Sequence, residues 1–467
     1  MPFDPLILSR HRAARERYLS IMAAGLAAVD PYQAVYARLQ RIDHELWIDG
    51  RKYDLKRYRR VWVVGAGKAG APMARAVEDV LGTAIHAGVV VVKYGHTAPT
   101  AHVTIVEAAH PIPNQAGLDA GRRILTLLED ANADDLVLVL LSGGGSALLE
   151  APADLTLAEL QATTDALLAC GATINEINCL RKHLSLVKGG QLARAASPAT
   201  LVTLVLSDVV GSPLDVIASG PTVPDPSTWH DAWAVVKKYD LAPRLPERVW
   251  TRLQAGVHGA LPDTPKPGDP VFANAHIVIV GDNRVAAAAA HQRAAELGYH
   301  SLILTTFVEG EAREVARVVA ALAKEVRSSG QPVTPPACLI LGGETTVTLD
   351  AQPGHGGRNQ ELALAAALAL AGLPGVSIAA LATDGSDGPT DGAGGLVDGE
   401  TVARGRAAGL DAGLALRRHD AYPYLRATGD LLLTGPTQTN VNDLMFVWVE
   451  SIDSQERPIL AVSGAPG

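Results

Sequence analysis

From Arg60 onward, short apolar runs alternate with stretches whose apolar residues recur at helical spacing. VWVVGAG (61–67) predicts a strand and turn, and PMARAVEDVLG (72–82) a helix. GVVVVKYG (88–95) and VTIVEAA (103–109) predict two further strands, followed by the helix GLDAGRRILTLLEDA (117–131). LVLVLLSGGGSALL (136–149) reads as strand, glycine turn and helix start, and TLVTLVLSDV (200–209) as another strand. Strands that alternate with helices need crossover connections, and right-handed crossovers build a mainly parallel, doubly wound sheet. Ahead of this block, residues 9–45 carry apolar positions at helical spacing, with arginines on the other face, and predict a helix.

The stretch 223–270 is rich in Pro, Asp and Trp and has little strand signal; its end, LPDTPKPGDP (261–270), reads as a linker. The alternation restarts with HIVIVGDN (276–283), SLILTT (301–306), CLILGGET (338–345), SIAALATDG (377–385), LLLTGPT (431–437) and FVWVE (446–450). The expected fold class is therefore α/β in two domains, a Rossmann-like one over residues 1–260 and a second over 271–467. Leu362 to Ala382 is apolar enough to reach membrane-spanning length, but Gly372, Pro374 and Gly375 divide it into a helix, a turn and a strand.

Composition narrows the function. Of 467 residues, 48% are apolar and 19% charged, which excludes a disordered chain and gives room for two cores. A formal net charge of -9 argues against nucleic acid or an anionic membrane as a partner. The cysteines, Cys170, Cys179 and Cys338, form neither a disulfide framework nor a four-ligand zinc site, and fit a reducing compartment. MPFDPLILSRHRAARERYL has charges where a signal peptide needs its apolar stretch, so a cytoplasmic location is expected.

Four clusters carry candidate chemistry. Gly65-Ala66-Gly67-Lys68-Ala69-Gly70 lies between a strand and a helix, where glycines let backbone approach an anion. A dinucleotide site would also need an acid after the second strand, but that strand ends in Lys93-Tyr94, so NAD is disfavoured and NADP requires Lys93 to meet its 2′-phosphate. Ser142-Gly143-Gly144-Gly145-Ser146 offers a second backbone nest for phosphate oxygens, although no Walker motif occurs. Asp208 falls at a strand's carboxyl end, where open α/β sheets hold ligands. In the second half, Glu344 follows a strand, Arg358 opens a helix, and Asp384, Asp387 and Asp391 lie in a glycine-rich loop. Their spacing does not fit a calcium loop, whereas carboxylates at strand ends suit Mg²⁺. His110, Asn178, Cys179, Glu176, Lys182 and His183 are set aside, since each also fits a structural role.

Together VVGAGKAG, AAHPIPN, SGGGSALL, INCLRKHLSLVKGGQLA, VLSDVVGSPLDVIASGPT, LILGGETTV, GGRNQELAL, TDGSDGPTDGAGG and GPTQTNVNDL resemble the class II glycerate kinase family, whose C-terminal portion is the MOFRL domain. The resemblance implies a nucleotide-side domain over 1–260, a smaller MOFRL domain over 271–467, and ATP- and Mg²⁺-dependent phosphorylation of D-glycerate at its 2-hydroxyl. Some relatives carry the label hydroxypyruvate reductase, which keeps an NADPH-dependent reductase as the alternative. By motif, Lys68 and Arg358 correspond to the family's catalytic pair, and Asp208, Glu344, Asp384 and Asn440 to its other polar positions.

On that reading Gly65, Gly67, Ser142, Gly143, Gly144, Gly145 and Ser146 face the ATP phosphates. Lys68 neutralises charge on the transferring group, and Arg358, Glu344 and Asn440 join it in binding substrate. Asp384 and Asp208 hold Mg²⁺, with Asp208 the first choice as base and Asp384 the other. The expected partners are small molecules, with no nucleic acid and no membrane, and a homodimer is compatible with the sequence.

Overall fold

A computed structural model describes Phe3 and residues 12–451; the start of the 9–45 run and most of the N-terminal stretch read for a signal lie outside them. The chain forms two compact units. The N-terminal unit is Leu26–Ala286 with Gln438–Val441, and the C-terminal unit is Met1–Gly25, Ala287–Thr437 and Asn442–Gly467.

The single helix expected over 9–45 is instead α1 (Arg12–Ala28), α2 (Pro31–Tyr36) and the start of a three-stranded meander. Asp30 ends the first helix run and caps the second, accepting from Gln33 N, with Pro31 at the first helical position. Strands β1 (Leu39–Ile42), β2 (Glu45–Ile48) and β3 (Arg51–Asp54) pair antiparallel. Their tight turns place Asp43 and Asp49 at φ 52° and 48°, backbone that aspartate tolerates well.

The main sheet of the N-terminal unit then follows the expected alternation. Its elements are β4 (Arg60–Ala66), α3 (Gly70–Leu81), β5 (Ile85–Lys93), β6 (Val103–Ala108), α4 (Gln115–Glu129) and β7 (Asp135–Leu141). After these come α5 (Gly145–Leu148), α6 (Leu157–Ala169), α7 (Ile174–His183), α8 (Gln191–Ala196), β8 (Thr200–Leu206), α9 (Trp229–Lys238), α10 (Glu247–Val257) and β9 (Ala275–Gly281). The six strands are all parallel, in the order β6-β5-β4-β7-β8-β9. That is the doubly wound Rossmann order. All seven residues of β7 are buried, as a strand covered on both faces requires, which is why its sequence runs apolar without alternation.

Two sequence expectations change here. The stretch 223–270 is mainly helical: α9 begins with a Thr228–Asp231 capping box and packs with α7 and α10 around Trp229, Leu180 and Leu253. The run 261–270 is no free linker, because Asp263 pairs with buried His183 (3.0 Å) and Thr264 bonds Asp225 (2.9 Å). β9, read as the first strand of the second block, pairs with β8 and completes the first sheet.

Helix α11 (Asn283–Glu296) carries the chain into the C-terminal unit. There β10 (His300–Val308), α12 (Ala312–Ser329), β11 (Ala337–Gly343), α13 (Arg358–Leu370), β12 (Val376–Ala382) and β13 (Gly394–Asp398) are followed by α14 (Thr401–Ala407), α15 (Ala412–Arg417) and α16 (Ala421–Thr428). Strands β14 (Leu431–Leu432) and β15 (Asp443–Val449) complete a mixed sheet, ordered β10-β11-β15-β12-β13-β14. Apolar α13 is buried almost all round among α12, the sheet and α16. The apolar stretch at 362–382 is thus helix, turn and strand, and among the described residues no helix is long and apolar enough to cross a membrane.

The first part of α1, assigned from sequence to the N-terminal domain, belongs to this second unit. Arg15 meets fully buried Asp430 at 2.7 Å, and Tyr18 stacks on Trp448 with ring centroids 4.2 Å apart. Arg404 bonds the same carboxylate at 2.6 and 2.7 Å. Breaking a buried ion pair from one side costs about 3–5 kcal/mol, because its partners stay charged and dry. Asp430→Asn should therefore lower the stability of the C-terminal unit by about that much in urea titrations; a change under about 1 kcal/mol would contradict this account.

Candidate active site

In the N-terminal unit the strand order reverses between β4 and β7, and both glycine turns follow these two strands. This switch point is where doubly wound sheets leave a crevice. The turn after β4 is closed onto its neighbour. Gly67 N donates to Val91 O (3.0 Å), Lys68 N to Gly143 O (2.8 Å), and Gly70 N to Gly67 O (3.0 Å). Ala69 N donates to the Ser142 hydroxyl (3.0 Å). A Cβ on Gly67, at φ +140°, would lie 2.1 Å from Ser142 Oγ, and one on Gly65 2.1 Å from Leu140 O. Gly65 and Gly67 therefore let the two turns pack together, and they present no spare amides to a phosphate.

The turn after β7 is different. The N–H groups of Gly143, Gly144 and Ser146 meet no protein acceptor among the described residues, whereas Gly145 N donates to Ser142 O (3.1 Å) and Ser142 N to Ala66 O (3.1 Å), so the nest expected over 142–146 is open at three amides. A Cβ on Gly143 would lie 2.2 Å from Asp208 Oδ2, so the Asp208 carboxylate rests against this nest. The Lys68 side chain and His110 flank Gly144. Ser146 Oγ bonds Ser219 Oγ (2.8 Å), which donates to Asn178 Oδ1 (3.2 Å). Burial, then the charges of Lys68 and Lys93, hold His110 down to about 4, so it is a neutral imidazole beside the nest at neutral pH. Asn440, read with the second half, belongs to this unit: Thr439 bonds Val29 O (2.6 Å) and Asn283 bonds Val441 O (2.8 Å).

The C-terminal unit builds a second cluster through strand register. β15 runs antiparallel between β11 and β12, pairing Asp443 with Gly343 on one side and Ala382 on the other. Glu344 and Asp384, each just past a strand end, therefore flank the buried first residue of β15. Arg358, the first residue of α13, donates Nε and Nη2 to Asp443 (2.5 and 3.1 Å), and its Nη1 lies 2.9 Å from Glu344. Burial works against the guanidinium's charge, but Asp443 and Glu344 more than restore it and raise its pKa. Asn442 holds the other oxygen of Glu344 at 2.8 Å.

Asp387 accepts from the backbone N–H groups of Asn359 (3.1 Å) and Gln360 (2.8 Å), so it caps the helix end that presents Arg358. Asp384 turns one oxygen to Ser386 N (3.0 Å). Asp391 lies apart from these groups, bonded to Tyr422 OH (2.6 Å). Among the described residues no group of three or more His, Cys, Asp or Glu is arranged to hold a metal ion.

The described-domain model DUF4147, a domain of unknown function, matches residues 17–254, and the MOFRL family model matches 337–443. The chain is 41% identical over 438 residues to a protein named glycerate 2-kinase from Pyrococcus horikoshii, covering 94% of this chain and 98% of that one. It is 43% identical over 446 residues to the D-glycerate 2-kinase of Thermotoga maritima, covering 95% and 99%. The chain belongs to the glycerate kinase family. A solved glycerate kinase structure from Thermotoga maritima matches this one with a TM-score of 0.84 at 43% identity, covering 94% of this chain and 99% of that chain. The family's two-part α/β architecture is thus the one seen here.

For this glycerate kinase family member, sequence reasoning overlooked Asp443 and passed over His110. Asp443 was legible only as an acid standing directly before the apolar run LMFVWV, a charge that a buried strand end must neutralise. Glu176, by contrast, proves structural: it closes the capping box of α7 with Thr173.

Burial is the main cause that raises Asp387 from 3.8 to about 7, opposed by the two amides it caps and reinforced by Asp443. Its folded form thus holds a proton more tightly than its unfolded form, and stability falls as pH rises through that interval. The unfolding free energy of the wild type minus that of Asp387→Asn should decline from about pH 4 to about 7 and level off above. A flat difference in urea titrations across that range would refute the assignment.

Proposed function

We propose that this protein is a D-glycerate 2-kinase, transferring the γ-phosphoryl group of ATP to the 2-hydroxyl of D-glycerate to give 2-phospho-D-glycerate and ADP. The observation that carries the reading is the turn after β7, with three unclaimed backbone N–H groups beside the Lys68 side chain and the Asp208 carboxylate. Phosphoryl transfer needs positioned positive charge more than covalent chemistry. The names of the full-length relatives support the same reaction.

The residues take their roles from their surroundings. The Gly143, Gly144 and Ser146 amides cradle phosphate oxygens, and Lys68 supplies mobile positive charge next to them. Asp208 accepts the proton from the 2-hydroxyl as the new bond to phosphorus forms. Neutral His110 remains able to donate or accept one hydrogen bond beside Gly144 without adding charge. In the C-terminal unit, Arg358 is held by Asp443 and Glu344, leaving N–H directions for a carboxylate or phosphoryl oxygen. Asn440 offers an amide to substrate.

Mg²⁺ takes few protein carboxylates and completes its shell with phosphate oxygens and water, and the Asp208 carboxylate beside the nest is a donor of that kind. Asp208 is the residue of the N-terminal unit that would hold it and Asp384 the candidate in the C-terminal unit, and when bound it would neutralise charge on the nucleotide phosphates. The reductase alternative would need the turn after β4 to face a pyrophosphate. Its four amides are already taken, and Lys93 rather than an acid ends β5.

The test couples product formation to enolase and pyruvate kinase, without phosphoglycerate mutase, in a mixture of ATP, Mg²⁺ and D-glycerate. Pyruvate should appear directly. A signal that needs the mutase would move the reaction to the 3-hydroxyl, and NADPH consumption with hydroxypyruvate alone would replace the kinase with the reductase. Lys68→Ala and Arg358→Ala should each lower kcat/KM by about a hundred- to thousandfold. Near-normal turnover in both would remove the site assignment.

A further inference from the structure

The N-terminal unit contains a cavity of about 530 Å³ that none of the roles above uses. One wall is the face of α7 that carries Asn175, Asn178 and Lys182, residues three and four positions apart and so on one side of the helix. The opposite wall comes from the loops after β8, with Asp215, Val216 and Asp225. Its size falls within the range of small-molecule sites, and its lining mixes apolar surface with a few convergent polar groups.

Charge narrows the occupant. Lys182 is nearly buried and lies 3.2 Å from Asp225 and 3.6 Å from Asp215. One cation against two carboxylates leaves the cavity net negative, so it disfavours a carboxylate such as glycerate or a phosphate group. A neutral ligand rich in hydroxyl and exocyclic amino donors suits it. Asp225 is already engaged by Thr264 (2.9 Å) and Ser227 (2.8 Å), whereas Asp215 is 41% exposed and keeps acceptor capacity for a hydroxyl. Asn178 is only 6% exposed, and its amide N–H groups meet no acceptor among the described residues.

Position narrows it further. Asn178 is joined through Ser219 to Ser146, so the cavity wall and the phosphate nest are two hydrogen bonds apart. We propose that this cavity binds the nucleoside moiety of ATP, with Asp215 accepting from the ribose hydroxyls and the Asn178 and Asn175 amides reading the edge of the base. The inference rests on the kinase reading and adds to it the side from which the nucleotide enters the nest.

The test fills the cavity from two sides, with Asn175→Trp at the exposed rim and Val216→Trp on the facing loop. In steady-state assays the KM for ATP should rise about tenfold or more in both variants, which corresponds to about 1.4 kcal/mol of lost binding, while the KM for D-glycerate stays within about twofold. Adenosine alone should compete with ATP against the wild type, and less well against either variant. Unchanged ATP constants in two folded variants, or a rise in the glycerate constant instead, would overturn the assignment. A wild type with no turnover would end the kinase reading by itself. The cavity's occupant would then be decided by whether adenosine changes the tryptophan fluorescence of the Asn175→Trp variant relative to wild type: a saturable change supports the nucleoside, and none removes it.

Discussion

The hydroxyl of Ser142 occupies the space that a side chain on Gly67 would need, and much of the N-terminal site follows from that contact. Because the two turns at the switch point lock into one another, the turn after β4 spends its amides internally. The turn after β7 is held by the same contacts with its own donors facing outward. A sequence pattern that suggests one nucleotide loop thus yields a supporting loop and a binding loop. Rigid support of this kind keeps donors in place without reorganisation when charge moves.

The C-terminal cluster reaches comparable rigidity by another route. An antiparallel strand inserted between two parallel-facing ends brings its first residue, Asp443, level with Glu344 and Asp384. The carboxylates then hold Arg358 from two sides before any substrate arrives, and Asp387 fixes the helix end from which it projects. A long side chain that is already ordered loses little rotamer freedom on binding. The electrostatic cost is carried by the buried carboxylates, as the raised pKa of Asp387 shows.

The parallel sheet was legible because a strand buried on both faces must be apolar throughout, and the runs at 61–67 and 136–141 are. Of the six motif residues carried by resemblance, five were visible as charges at strand ends, a glycine turn or a helix start, and Asn440 came with the resemblance alone. The meander at 39–54 was hidden by residues such as Leu39, Leu46 and Ile48, whose spacing fits either period until the turns at Asp43 and Asp49 are seen. β9 was misassigned because linker composition at 261–270 suggested a boundary that the His183–Asp263 pair abolishes. Asn440 and Asp443, three residues apart, fall in different units, and nothing in local sequence encodes such a return. Which glycine turn leaves its amides free is equally a property of the neighbouring strand, since it depends on Ser142 and Gly143 across a sequence gap.

The Arg15–Asp430 pair has a consequence for biosynthesis. Its partners are 415 residues apart in the chain, so the first half of α1 has its partner only after most of the protein has been made. At translation rates of about 5–20 residues per second, that helix waits roughly 20 to 80 seconds for its carboxylate to emerge. Throughout that interval Leu26–Ala286 can be completed as a parallel sheet, whereas the mixed sheet still lacks both its last strand and its earliest helix. The order of emergence from the ribosome thus favours the doubly wound half as the template-free first folder, and makes the later half dependent on a segment that has been waiting since the beginning.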